Sequence, residues 1–386
     1  MRALAKQGMP LTLMLALLFT FIRFAPAGAA LPVPQVNAAS AILIDSSSDT
    51  VLYSLHPDER RAMASTTKMM TALIVADRLN FEDKVTVGPE IESADGSGLE
   101  LTVGETLTVK ELFYSMLLMS SNDAAAVLAE KVAGGIPAFT MLMNEKAGKM
   151  GLKNTRYVNP HGLDAPGHYS TARDLATIAR TLLKNPVASE AVSTKSWAFP
   201  RKGALEQLKN SNLLLGFYPF ATGVKTGHTD NAGYCLVSSA KKNGRELISV
   251  ILGADSDEAA TSISGTLLDY GFSLYSVKPL TAKGQIFEHV KLPYERTLNI
   301  IAGKSLMAEV REGAPIKKEL SLSAPKGLPV AKGSRFGRIV FEQDGRVLGS
   351  VDLIADGRAA PPTLAERLAE GLRAAGRALG RLFAWI

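Results

Sequence analysis

The chain has a single cysteine among its 386 residues, Cys235, so no disulfide can form within it. Aromatic residues make up only 6% of the chain and charged residues 21%, whereas hydrophobic residues reach 46%. That hydrophobic content rules out a disordered chain. The core alone must therefore stabilise the fold, and the length predicts two or three domains at roughly 150 residues per domain.

Net charge is scarce in the body of the chain. Residues 1–29 carry +3 and residues 361–386 carry +2, and subtracting both from the total of +6 leaves +1 for everything between them. A nucleic-acid-binding domain would present a basic face, so the sequence argues against nucleic acid as a partner. The positive ends instead indicate two membrane-directed segments.

The N-terminal hydrophobic run, residues 11–22, is short. As a helix it rises about 18 Å, which does not cross a hydrocarbon core of ~30 Å. Basic residues precede it, and Ala27-Gly28-Ala29 provides a small-x-small cleavage site. This order is typical of a signal peptide over residues 1–29 and predicts export to the extracytoplasmic face of the membrane. An uncleaved anchor is the alternative.

The pattern of polar and apolar residues divides the body into two parts. Residues 30–276 alternate strands and helices, with helices predicted over 65–79 and 109–132 and a hairpin turn at Asn243-Gly244. Residues 277–358 contain short β-type runs and no helical period. The predicted fold class is α+β, with an antiparallel sheet flanked by helices and a small all-β C-terminal domain.

The C-terminal segment, residues 361–386, follows a Pro-Pro break and opens on the capping box Thr363-x-x-Glu366. At about 100° per residue its leucines fall on one arc and its arginines on the opposite arc. Such a helix is typical of a membrane interface, so the sequence predicts an amphipathic anchor here. Docking on its own protein or on a second copy is the alternative.

Ser65-Thr-Thr-Lys68 is the first candidate for catalysis. Three residues are nearly one helical turn, so the Ser65 hydroxyl and the Lys68 amine share a face. A lysine can take the proton of a serine nucleophile when burial and a neighbouring cation lower its pKa. The same spacing recurs at Ser239–Lys242 and Ser323–Lys326, which we interpret as solvated surface because no predicted helix aligns either pair.

Two more motifs follow in order, Ser120-Ser121-Asn122 and Lys225-Thr226-Gly227. The ordered set S-x-x-K, S-x-N and K-T-G is typical of β-lactamases and penicillin-binding proteins, in which the serine forms an acyl-enzyme. Ser65 is then the nucleophile and Lys68 the general base. Ser120 can pass a proton to the leaving nitrogen, and Asn122 can bond the substrate amide.

The third motif is predicted to bind the substrate. Lys225 supplies positive charge for a carboxylate and helps to keep Lys68 neutral, and Thr226 adds a hydroxyl. Gly227 lets its strand approach the substrate closely. The N–H of Ser65 is one predicted oxyanion donor, and the second lies at or just after the K-T-G strand.

The chain resembles the low-molecular-mass penicillin-binding proteins, which are serine D-Ala-D-Ala carboxypeptidases. The resemblance is strong over about residues 38–276 and extends beyond the three motifs to residues 64–71, 119–124, 158–164, 169–174 and 224–230. It implies a penicillin-recognising, transpeptidase-like domain at 30–276, a β-rich domain at 277–358, and a tail at 361–386 on the outer face of the cytoplasmic membrane. It also implies removal of the terminal D-alanine from peptidoglycan pentapeptides, and acylation by β-lactams.

The resemblance adds residues to the site. It implies that the backbone of His228 completes the oxyanion hole and that His161 and Asp174 support a loop beside it. Some family members have an arginine near residues 210–212 that helps to hold the carboxylate, where this chain has Ser211. The remaining histidines are expected on the surface or in loops: His56, His168 and His289. Cys235 is interpreted as core packing.

Three alternatives remain open from the sequence. A D,D-endopeptidase uses the same motifs to cut peptidoglycan cross-links. A β-lactamase needs a loop glutamate beside the serine, and residues 155–170 contain none. A non-catalytic peptidoglycan-binding envelope protein needs no nucleophile–base pair. No histidine–acid spacing or phosphate-binding loop is present, so neither a metal nor a cofactor is expected.

Overall fold

The structure is a computed structural model that describes residues 32–323 and 327–383. The predicted signal peptide and Lys326 therefore lie outside the described residues. The strands are β1 Ser40–Asp45, β2 Val51–Leu55, β3 Lys84–Thr86, β4 Thr106–Thr108, β5 Ser196–Arg201, β6 Ala204–Lys209, β7 Ala221–Thr229, β8 Gly233–Lys242, β9 Arg245–Ala254, β10 Tyr275–Thr281, β11 Ile286–Leu292, β12 Arg296–Ala302, β13 Leu306–Arg311, β14 Lys317–Leu322, β15 Arg335–Gln343 and β16 Arg346–Ala355. The α-helices are α1 Lys68–Arg78, α2 Val109–Leu118, α3 Asn122–Ala133, α4 Ile136–Lys149, α5 Ala172–Leu183, α6 Pro186–Ser193, α7 Leu214–Phe217, α8 Asp257–Ser273 and α9 Leu364–Phe383.

An antiparallel sheet of five strands, in the order β2-β1-β9-β8-β7, organises the first part of the chain. Successive residues of a strand face opposite sides, so Ile42 and Ile44 join one apolar cluster while Ala41 and Leu43 join another. The first cluster includes residues of α1 to α6, and the second includes Leu267 of α8. Because helices cover both faces, β1 is apolar throughout its centre.

The predicted helix over residues 109–132 is wrong, because the structure has two helices there. A capping box between Thr108 and Glu111 opens α2, which ends at Leu118, and α3 begins only at Asn122. Between them Ser120 has a φ of +67°, in the left-handed region that interrupts a right-handed helix. This break places the second motif at the start of α3, with Ser120 before the helix and Asn122 as its first residue.

A second antiparallel sheet, in the order β11-β12-β16-β15-β14, forms the C-terminal part. Its core contains Phe336 and Phe341, both fully buried. The sequence did not indicate β10 or β11, because most of their side chains are exposed or half-buried and no alternating pattern results. The two sheets and the covering helices confirm the predicted α+β class with a small all-β C-terminal part.

Arg245 joins the two parts at the hairpin end of β9. Its guanidinium pairs with the buried carboxylate of Asp45, lies 3.0 Å from Glu309 on β13, and sits 3.5 Å above the centre of the Tyr275 ring. A buried arginine needs such partners to offset the loss of hydration.

Helix α9 begins with the predicted capping box. The Thr363 N–H donates to Glu366 Oε2 at 2.7 Å, and Arg296 binds the same carboxylate at 3.2 Å. Three leucines on α9 are exposed: Leu364, Leu368 and Leu372. Among the described residues, no single helix has the length and hydropathy to span a bilayer, and one bent pair, α3 with α4, passes that test only jointly.

Candidate active site

Ser65 lies in a 3-10 turn, Ala64–Thr67, that leads directly into α1. The residue before it, Ala64, has a φ of +47°, which turns the chain sharply at the serine. Two glycines pack against this turn: an added Cβ would lie 2.0 Å from the Ala64 carbonyl oxygen at Gly162 and 2.9 Å from the Ser65 nitrogen at Gly227. Neither distance admits a side chain, so Gly227 lets β7 approach the serine turn itself.

Lys68 is fully buried, and its Nζ has three neighbours. It lies 2.8 Å from Ser65 Oγ, 2.6 Å from Asn122 Oδ1 and 2.7 Å from the carbonyl oxygen of His161. A neutral amine has two N–H donors and one lone pair. If the two N–H groups donate to the amide and carbonyl oxygens, the lone pair is left for the Ser65 hydroxyl proton. This arrangement suits a general base.

Electrostatics favour the neutral form of Lys68. Burial, followed by the positive charge of Lys225, holds the pKa of Lys68 well below that of an exposed lysine. Burial also lowers the pKa of Lys225, to about 7, while Asp257 acts in the opposite direction. The repulsion between the two amines is mutual, so a proton held on Lys225 favours the neutral form of Lys68.

The second motif provides one fixed and one free side chain. The Asn122 amide donates from Nδ2 to the Asp95 carbonyl at 2.5 Å, which orients Oδ1 toward Lys68. Ser120 Oγ is buried and has no hydrogen-bond partner in the described part of the chain. A buried hydroxyl without a protein partner is able to form a hydrogen bond with a bound substrate.

The third motif lies on β7, the edge strand beside the serine turn. Lys225 Nζ donates to the Thr226 carbonyl at 3.0 Å, and the Thr226 hydroxyl lies 2.7 Å from that of Ser211. The ring of His228, the next residue after the motif, stacks on Tyr234 with a centroid distance of 4.1 Å. The structure thus brings all three motifs around Ser65.

Residues 155–170 form a loop that crosses the serine turn. The Thr71 hydroxyl donates to the Pro160 carbonyl at 2.6 Å, and the Thr229 hydroxyl of β7 donates to Asp164 at 2.9 Å. The loop therefore contacts both α1 and β7. It also supplies the His161 carbonyl that accepts from Lys68.

His161 and Asp174 both contact this loop, but no hydrogen bond or ion pair joins them to each other. Asp174 lies in the first turn of α5 and accepts from the Asn154 N–H at 3.0 Å and the Thr155 hydroxyl at 2.7 Å. His161 contacts Lys68 through its backbone carbonyl, while its ring Nδ1 accepts from the Leu163 N–H. Asp174 thus holds the start of the loop, whereas His161 lies within the loop and contacts Lys68.

The sequence of this chain is similar to those of known proteins. The D-alanyl-D-alanine carboxypeptidase family matches residues 27–256, more than half of the chain. The chain belongs to the D-alanyl-D-alanine carboxypeptidase family. The predicted resemblance and the enzyme class, a serine-type carboxypeptidase, are confirmed by this match.

Individual members of the D-alanyl-D-alanine carboxypeptidase family resemble the chain over most of its length. DacF of Bacillus subtilis is 35% identical over 83% of this chain and 85% of its own, and DacA of Escherichia coli is 33% identical over 83% of each. Penicillin binding protein 5 of Haemophilus influenzae has 30% identity and a TM-score of 0.62, covering 86% of this chain and 99% of its own. The DD-transpeptidase of Streptomyces K15 has 34% identity and a TM-score of 0.60, covering 63% and 100%.

Sequence reasoning misjudged one polar residue and did not predict the burial of another. His168 lies in a loop, one of the two places expected for it, but it is only 7% exposed and is bonded on both ring nitrogens. Ser239 is fully buried in β8 and lies 2.8 Å from the Thr222 hydroxyl, so it is not solvated surface. Cys235 is buried in the core, as interpreted. Burial of a polar residue depends on packing that no local pattern reports.

Sequence reasoning also missed two supports of the second motif. The Asp123 carboxylate accepts from the N–H groups of Leu99 and Leu101, and Arg201 donates to the Leu99 carbonyl at 2.7 Å. Arg201 also pairs with Glu105 at 2.7 Å. No local signal marked Asp123, because it lies in the first turn of α3 but in the interior of the helix predicted over residues 109–132.

Proposed function

We propose that this protein removes the terminal D-alanine from peptidoglycan pentapeptides through an acyl-enzyme on Ser65. The observation that carries the proposal is the environment of Lys68, a buried amine 2.8 Å from the Ser65 hydroxyl whose other neighbours are both hydrogen-bond acceptors. A binding protein needs no nucleophile–base pair of this kind.

Acylation begins when Lys68 takes the proton of Ser65 and Oγ attacks the carbonyl carbon of the penultimate D-alanine. The resulting oxyanion accepts from the backbone N–H groups of Ser65 and His228. The proton passes through the Ser120 hydroxyl to the nitrogen of the terminal D-alanine, and the C–N bond breaks. Water then attacks the ester and releases the shortened peptide.

Substrate binding relies on the cation and hydroxyl of the third motif. Lys225 and Thr226 hold the carboxylate of the terminal D-alanine, and Ser211 lies within hydrogen-bond distance of the Thr226 hydroxyl. A bound carboxylate favours the protonated form of Lys225, which in turn favours neutral Lys68. A β-lactam carries a carboxylate and a strained amide, so the same groups would direct it to Ser65.

The test is to incubate the purified full chain with a D-Ala-D-Ala-ended peptide and, separately, with a fluorescent penicillin. We expect stoichiometric release of D-alanine and a stable covalent label on the protein. A cross-linked peptidoglycan dimer distinguishes the endopeptidase, which would cut it faster than the linear peptide. Absence of both label and D-alanine release would overturn the proposal.

We also propose that residues 1–29 direct export and that α9 lies in a membrane interface, with catalysis assigned to residues 30–276. The membrane assignment is supported by two features of α9: three leucines are exposed, and the helix also carries arginines. The leucines are Leu364, Leu368 and Leu372. Exposure of this apolar face to water is unfavourable. At a lipid surface the leucines can enter the apolar layer while the arginines contact anionic headgroups.

Deletion of residues 361–386 is expected to move the exported protein from the membrane to the soluble fraction, because the apolar face that holds it there is gone. Activity on a soluble peptide should persist, since no residue of the site lies in the tail. Fractionation followed by penicillin labelling measures both. The matched control exchanges Lys317 and Lys318, exposed on β14, for glutamine and should leave the distribution unchanged. Retention of the deleted, signal-processed chain on the membrane would show that the anchor lies elsewhere.

A further inference from the structure

His168 is a buried side chain that the acylation steps do not use. Its ring Nδ1 accepts from the Val158 N–H at 3.0 Å, and its Nε2 lies 2.8 Å from the hydroxyl of Thr67. Thr67 belongs to the turn that carries Ser65 and Lys68, whereas Val158 starts the segment that crosses this turn. One imidazole therefore connects the nucleophile turn to the loop above it.

The hydrogen bonds define the protonation state of this ring. A backbone N–H can only donate, so Nδ1 must carry its lone pair. In the neutral ring the proton is then on Nε2, which donates to Thr67 Oγ1. A doubly protonated ring would place two N–H groups against each other at Val158 and would lose that bond.

Two backbone carbonyls of this loop accept hydrogen bonds from side chains of α1. Between Val158 and His168, the Pro160 carbonyl accepts from Thr71 and the His161 carbonyl accepts from Lys68. Gly162 packs directly on the Ala64 carbonyl, so the loop has no room to shift toward the serine. The direction of the Lys68 lone pair therefore depends on where this loop is held.

We propose that His168 is a positioning residue for acylation: its neutral, Nε2-protonated ring braces the loop against Thr67 and so keeps the His161 carbonyl on Lys68. The inference rests on the proposed function, in which Lys68 is the base for Ser65. In this role the imidazole of His168 does not contact the substrate.

Three titratable groups surround the ring, namely Asp164, His161 and Tyr157. Burial lowers the pKa of His168 to about 4, and the Asp164 carboxylate acts against this shift. The ring also acts on His161, whose pKa is lowered to about 3 by burial first, then by Lys68 and then by His168. Tyr157 adds a ring edge at a centroid distance of 5.9 Å. The packing around His168 is thus built for a neutral imidazole.

The test compares the full chain with His168→Leu, His168→Gln, Thr67→Val and the double variant His168→Leu/Thr67→Val. We expect His168→Leu to slow acylation by penicillin roughly tenfold to a hundredfold, the scale of a misplaced catalytic group, with little change in KM for the peptide. Glutamine offers both an acceptor and a donor and should restore most of the rate. The double variant should be no slower than the slower single variant, because both changes remove the same bond.

A second readout covers the case in which His168→Leu does not fold. The ring's pKa is about 6.5 when unfolded and about 4 when folded, so its contribution to stability is complete above pH 6.5 and is lost as the pH falls toward 4. The melting temperature of His168→Gln should therefore fall less than that of the wild type between pH 6.5 and 4. His161 is present in both proteins, and removal of the His168 charge that lowers its pKa changes the acid profile in the same direction.

His289→Leu, at an exposed position on β11, is the matched control and should behave as wild type in every assay. A folded His168→Leu variant that is acylated at the wild-type rate would overturn the proposed positioning role of His168. So would identical acid profiles of wild type and His168→Gln. If the wild type itself is not acylated, the proposed function fails, and this outcome is distinct from both of the others.

Discussion

Ser65→Ala is expected to abolish penicillin labelling and to reduce D-alanine release on the order of 10⁶-fold, the loss seen when a serine hydrolase is deprived of its nucleophile. The reason is that, in the part of the chain that the structure describes, no other hydroxyl lies against the buried amine: Lys68 Nζ contacts Ser65 Oγ and two oxygens that cannot act as nucleophiles. Labelling with fluorescent penicillin, and D-alanine release from a D-Ala-D-Ala peptide, measure the effect.

The chain itself provides the control for this substitution. Ser323 has the same S-x-x-K spacing and is exposed, so Ser323→Ala should leave labelling unchanged. Melting curves establish that Ser65→Ala is folded. Covalent labelling of a folded Ser65→Ala protein would contradict the assignment and would direct the search to another nucleophile.

Lys68→Arg is expected to lower the acylation rate by roughly 10²- to 10⁴-fold, because a guanidinium in a protein stays protonated and cannot take the serine proton. The wild-type rate should fall as the pH drops through the lowered pKa of Lys68, since only the neutral amine is a base. Binding of an anionic substrate should weaken as the pH rises above about 7, where Lys225 loses its charge. Stopped-flow acylation across pH measures both limbs of this bell-shaped profile.

The matched control is Lys242→Arg, because Lys242 ends the second S-x-x-K pair and its amine lies 5.1 Å above the Phe220 ring, away from the motifs. An arginine keeps that cation–π contact, so the rate should not change. A Lys68→Arg protein that is acylated within tenfold of the wild type, with the same acid limb, would remove Lys68 from the role of base.

The candidate site was largely predictable because its chemistry is encoded in three short motifs with definite spacing. Ser65 and Lys68 share a face for a local reason, the pitch of one helical turn. The order of the motifs on helix, helical region and strand was also readable from local pattern. The amphipathic tail and the hairpin at Asn243-Gly244 were predictable on the same basis, periodicity and turn chemistry.

Other features depended on contacts between distant segments. The break at Ser120 is invisible in an apolar, helix-forming run, and it results from a left-handed residue held in place by its surroundings. The burial of His168 and Ser239 follows from elements that pack on them from elsewhere in the chain. Likewise, the partners of His161 and Asp174 lie in segments that residue spacing does not bring together.

By itself, the sequence determined which chemical groups are available: a serine–lysine pair at the start of a predicted helix, a second serine and an asparagine, and a lysine–threonine–glycine strand. The tertiary structure decided what these groups can do. It buried Lys68 next to Lys225, so that desolvation and repulsion lower the pKa of Lys68 and favour the neutral amine, which can accept a proton. It also placed Asn122 and the His161 carbonyl on that amine, which leaves a lone pair for Ser65. Desolvation and orientation arise from packing between distant segments, and for that reason they cannot be read from residue spacing.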